Sequence, residues 1–204
     1  MEKSPGNSKE PAETIEMGWA THFRIQAFCQ VGKICACLLL LGASVLHAQE
    51  DLTINRKYQL IAVYLYHFSS FTHWPKTAFS ADDNALHVCV MGHNPFQNFL
   101  DELADRRVGL RVFKPRYLSV NDKLGSCHMV YLSQPTSASI DDIKGLNAPG
   151  RLLLGEGVEF VKRGGAIGFY TENNKIHIIV NRQAINSAAL KISSKLLRLA
   201  RILE

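Results

Sequence analysis

Beyond position 48, the side chains best suited to redox, metal or proton chemistry are Cys89 and Cys127 and the histidines His67, His73, His87, His93, His128 and His177. Paired thiols can close a disulfide, bind a metal or act as nucleophiles. The histidine spacing does not favour a metal. His67 and His73 lie six apart on a stretch that reads as helical, where two ligands on one face need three or four. His87 and His128 read as strand-end residues, and all six as ordinary, partly exposed histidines. Asp82-Asp83 and Asp141-Asp142 read as loop and helix-start charges. Gly155-Glu156-Gly157 lacks the third glycine of a dinucleotide fingerprint, and no lysine follows a glycine-rich loop as in a P-loop. Neither Gly-x-Ser-x-Gly nor His-Glu-x-x-His occurs. The chain therefore reads as a protein without catalytic groups, cofactor or metal.

The chemistry depends on compartment, and the N-terminal segment speaks to that. Arg24 and Lys33 precede an apolar run from Ile34 to Leu46, with Ala48 at a plausible cut before Glu50-Asp51. A basic start, a short apolar core and a small residue at the cut make a signal peptide. The run is shorter than the roughly 20 residues a membrane-spanning helix needs. The expectation is a signal peptide over 1–48, with a possible true start at Met17, and a single domain over 49–204. The exported product would be periplasmic and not itself membrane-spanning. Cys29, Cys35 and Cys37 leave with the leader, so Cys89 and Cys127 remain as an isolated pair, more often bridged than not in an oxidising compartment. The alternative is two buried thiols serving as small apolar residues. The net charge of +5 is spread along the chain, without the basic cluster of a nucleic-acid binder.

The elements that must hold these residues are legible by periodicity. Leu60, Ile61, Tyr64, Leu65, Phe68 and Phe71 recur at helical spacing, and Pro75 disfavours helix at Trp74. Leu86–Met91 reads as a buried strand closed by Gly92. Asn94-Pro95 reads as a helix start, with Phe96, Phe99, Leu100 and Leu103 on one side. Leu110–Phe113, His128–Leu132 and Arg151–Leu154 read as strands and Ser139–Leu146 as a weaker helix. Ala166–Tyr170 and Lys175–Val180 flank Thr171-Glu172-Asn173-Asn174 as a hairpin. Arg182–Ala189 reads as a helix, and Ser193 or Ser194 as the cap of a last helix carrying Leu196, Leu197, Leu199, Ala200, Ile202 and Leu203. The fold class is α/β: a mixed, mostly parallel sheet with helices on both faces and an antiparallel C-terminal hairpin. If the strands at Leu86 and His128 are neighbours, Cys89 and Cys127 come within bridging reach.

Lys57 with Leu65, Phe68, Phe71 and Trp74-Pro75, then Gly164-Gly165-Ala166-Ile167-Gly168-Phe169, Ile176–Val180 with Asn181, and the tail Leu190-Lys191-Ile192-Ser193-Ser194-Lys195-Leu196-Leu197-Arg198-Leu199-Ala200 together resemble the YfiR family of periplasmic proteins. The tail is the most specific part and Trp-Pro the next. The resemblance implies a Rossmann-like sandwich. It also implies a repressor that binds the periplasmic sensor region of an inner-membrane diguanylate cyclase, lowering cyclic di-GMP and restraining biofilm. Such control needs only that one conformation of the partner be bound better than another. Phe169, Tyr170 and Ile202 are the candidate contact residues. Lys57, Asn181, Ser193, Ser194 and Lys195 read as structural residues of helix ends and turns. A homodimer is a further possibility. The second functional expectation is a periplasmic small-ligand-binding module feeding a sensor kinase or transporter, because strand ends in α/β sheets commonly make ligand crevices.

Overall fold

The computed structural model describes residues 55–81 and 83–203. The expected leader, with its apolar run, its three cysteines and the cut after Ala48, lies outside the described residues. Helix α1, described over residues 55–71, buries Ile61, Ala62, Leu65 and Phe68, an apolar stripe one turn apart along one face. The chain then runs through β1 (Thr72–His73), β2 (Ala85–Met91), β3 (Arg107–Val108), β4 (Arg111–Leu118), β5 (Met129–Leu132), β6 (Leu152–Glu156), β7 (Ile167–Glu172), β8 (Lys175–Asn181), β9 (Lys191–Ile192) and β10 (Ala200–Leu203). Four short helices intervene: α2 (Gln134–Ser139), α3 (Val158–Lys162), α4 (Arg182–Ser187) and α5 (Ser194–Leu197).

Eight strands form one sheet in the order β10-β8-β7-β6-β5-β2-β4-β3. From β4 through β7 all neighbours are parallel; β8 turns back antiparallel to β7, and β10 lies parallel to β8 at the edge. β1 and β9 make a separate two-stranded ribbon that ties the end of α1 to the C-terminal region. The chain goes from β2 outward to β4 and returns on the other side to β5, so the order reverses between β2 and β5. Crevices at that place are the usual ligand sites of such sheets. Here it is occupied by the protein itself: Gly92, at φ +86°, follows β2, and a Cβ there would coincide with the Thr136 hydroxyl.

Alternation along the strands builds two cores. Val88, Val90, Met129, Tyr131, Leu154 and Phe169 pack toward α1 and α4. Cys89, Val130, Leu132, Leu153 and Ile179 face the other way, toward α3. Helices therefore cover both faces, as the composition of the strands requires.

The structure corrects several local expectations. No α-helix begins at Asn94-Pro95. The Asn94 side chain accepts from Phe96 N and donates to Gln97 O, and Gln97 sits at φ +52°, which together make a turn in place of a helical start. Phe96, Leu100 and Leu103 still reach the core from this turn. The helix expected over Ser139–Leu146 lies earlier, as α2, and the later residues hold only a 3-10 turn, Lys144–Leu146, set by Asp142 accepting from Gly145 N. The strand at Leu110–Phe113 runs on to Leu118. The hairpin tip narrows to Asn173-Asn174, both at positive φ, as a tight two-residue turn requires. The last helix is capped by Ser193, whose Oγ accepts from Lys195 N, but it ends at Leu197. Ala200 to Leu203 become β10, because the exposed edge of β8 offers a ladder of hydrogen bonds that a solvent-facing helix lacks.

Candidate functional site

Two polar clusters stand at opposite ends of the parallel strands. At the C-terminal end, Glu156 closes β6 with a buried carboxylate. Tyr58 and Tyr131 each donate to its Oε1 at 2.9 Å, and the Lys57 ammonium bonds Oε2. Burial first, and then the charge of Glu156, push both phenols well above the ordinary tyrosine value, so they remain donors. Lys57 and Tyr58 come from α1, Tyr131 from β5 and Glu156 from β6. The network therefore fastens the start of α1 to the sheet, and each of its donors is committed to the carboxylate. Replacing any one member would leave a buried polar group without its partner.

At the N-terminal end, His87 on β2 and His128, just before β5, are brought together with ring centroids 5.8 Å apart. His128 Nδ1 accepts from His87 N at 3.0 Å, and its Nε2 bonds Ala78 O at 3.0 Å, which fixes one neutral tautomer. Burial pushes the ring down to about 4. His128 is only 4% exposed, so the expectation of an ordinary, partly exposed histidine is corrected here. Phe79 stacks on it at 4.4 Å, and Trp74 meets it edge-on at 6.2 Å. His87 Nε2 reaches Asp83 Oδ2 at 2.7 Å. That hydrogen bond, and a second from Ala85 N, hold the Asp83 carboxyl below its ordinary value. Trp74-Pro75 thus positions a turn, Lys76–Ala78, that His128 pins to the sheet. The adjacent Cys127 is bridged to Cys89, with Cα atoms 5.9 Å apart, across the face opposite α1.

The other residues marked in the sequence take diverse places. Phe169 is 1% exposed and stacks on Phe68 and Tyr64, so it belongs to the core beneath α1 and is not available to a partner. Tyr170 and Ile202 keep partial exposure but lie on opposite faces of the sheet, one packing toward each core, and form no common patch. Gly165 lies against the Phe160 ring, where a Cβ would overlap it. Asn181 caps α4 by accepting from Ala184 N at 3.0 Å. Ser193 N donates to Phe71 O; Ser194 and Lys195 are exposed, and Leu196 is buried. Sequence reasoning missed Glu156, noted only as part of an incomplete glycine motif. A lone carboxylate ending an apolar strand was the available signal.

Among the described residues no group of three or more His, Cys, Asp or Glu side chains could hold a metal ion. Nor is any described helix long and apolar enough to cross a membrane.

A family model described as YfiR/HmsC-like matches residues 58–201, from the first turn of α1 into β10. No curated protein matches the chain. Among solved structures, the crystal structure of a conserved domain protein from Vibrio cholerae aligns at 14% identity and a TM-score of 0.39, covering 59% of this chain and 55% of that one. The chain thus spans about half the length of that protein.

Proposed function

The chain belongs to the YfiR/HmsC-like family, and from that premise we propose that it is a periplasmic regulator that binds the periplasmic sensor region of a membrane-bound diguanylate cyclase and holds it inactive. The observation that carries this reading is the extent of the family match, which takes in α1, the Trp-Pro turn, the bridged strands and the C-terminal ribbon. The disulfide supports it, since such bridges persist in the periplasm and are rare in the cytosol. Control follows from differential affinity: repression lasts while the inactive form of the partner is bound more tightly than the active one. Tyr170 and Ile202, on opposite faces, make two distinct candidate contact regions for the partner.

The test is deletion of the gene in its native host, with cyclic di-GMP quantified by mass spectrometry. The reading expects a several-fold rise and more biofilm, both restored by an export-competent copy. An unchanged level would overturn it.

A further inference from the structure

β10 is the outer strand of the large sheet and is held by β8 on one side only. On its other side, among the described residues, no backbone group bonds the N–H and C=O groups of Ala200–Leu203. Such a strand offers an open ladder to another chain. The opposite edge of the sheet is closed. There β3 pairs with the start of β4, Phe113 N donates to Arg106 O, Asp105 N donates to Phe113 O, and Pro115 has no N–H to offer. Neither proline nor glycine blunts β10 in this way.

The side chains give this edge a chemical character. In register, Ala200 and Ile202 lie beside Ile178 and Val180, while Arg201 lies beside Ile179. Neighbours across a ladder share a face, so the middle of the edge is apolar toward α1 and cationic toward α3. Arg201 is exposed, and Ala200 and Ile202 are partly so. Leu199, just before the strand and next to Arg198, is 75% exposed and has no place in either core. No carboxylate occurs in the chain between Glu172 and Glu204. Lys195, Arg198 and Arg201 make no salt bridge among the described residues.

An open ladder calls for a polypeptide, since a lipid surface would leave its backbone groups without partners. The charge then selects among polypeptides. A second copy of β10 would set these cations near one another, whereas an acidic strand would pair with them. We propose that the β10 edge receives an extended segment of a protein partner as a further strand, with acidic residues beside Arg201 and apolar residues beside Ala200 and Ile202. The proposal goes beyond the regulatory reading and does not depend on it, because its test involves no cyclase.

Isothermal titration of the full chain with a peptide of alternating glutamate and valine, followed by amide hydrogen exchange of the complex, would test it. Saturable binding is expected, with new protection at alternate amides of β10. Arg201→Glu should weaken it at least about tenfold, and a lysine-valine peptide should not bind. Arg201 is exposed, so the melting temperature of the free variant should hold. N-methylation of one alternate set of peptide amides should abolish binding while methylation of the other set is tolerated, because an added strand turns only one set toward β10. The proposal is overturned by absence of saturable binding, by equal effects of the two methylations, by equal binding of the lysine-valine peptide, or by protection that spares β10. Flotation with phosphatidylglycerol vesicles in place of peptide binding would assign the edge to a membrane surface and overturn it as well.

Discussion

His128 carries more structure than any other single titratable side chain near the Trp-Pro turn. Its neutral ring accepts from one strand and donates to the turn, and protonation would remove the acceptor. Its folded value of about 4 lies below the ordinary 6.5. Above pH 6.5 the ring is neutral both folded and unfolded, and its contribution is complete. As pH falls from 6.5 toward 4, the unfolded chain takes the proton first, and stability is lost across that window by roughly 3 kcal/mol. Urea unfolding at pH 7 and pH 4.5 should therefore show a larger loss in the native protein than in His128→Gln, which keeps a donor and an acceptor but does not titrate. Equal losses would refute this role. None of this was visible in the spacing of the histidines, because His87 and His128 lie 41 residues apart and meet only through the β2–β5 ladder.

At the scale of elements, the C-terminal tail divides where periodicity alone suggested continuity. Leu196 is 2% exposed within α5, whereas Leu199, in the link to β10, is 75% exposed. Leu196→Ala should cost about 2–4 kcal/mol through a core cavity, and Leu199→Ala within about 0.5 kcal/mol, as measured by urea midpoints. A continuous amphipathic helix would not separate them so sharply. Strands rich in branched residues, α1 and the Asn-Asn hairpin were legible, since their patterns serve burial on known faces. The turn after Asn94 and the strand β10 were not. Their outcome depends on a side-chain bond competing with helix in one case, and on a distant strand edge in the other.

For the molecule as a whole, the bridge between Cys89 and Cys127 links residues 38 apart. Chain entropy assigns such a loop about 3–4 kcal/mol, acting on the unfolded state. Reduction, or the Cys89→Ala/Cys127→Ala pair, should lower the unfolding free energy by that order while near-ultraviolet circular dichroism persists, because the β2–β5 ladder does not depend on the bond. An unchanged urea midpoint would refute the estimate. What the sequence determined by itself was the class of fold and the family resemblance, since alternation, turn residues and motif tails are local; the pairing of Cys89 with Cys127, left open against two free thiols, was decided by the adjacency of β2 and β5. Tertiary structure alone decided that Glu156 gathers Lys57, Tyr58 and Tyr131, and that Phe169 is core and not surface. Each of these joins residues from separate elements, and no periodicity along the chain encodes which side chains the sheet order will set side by side.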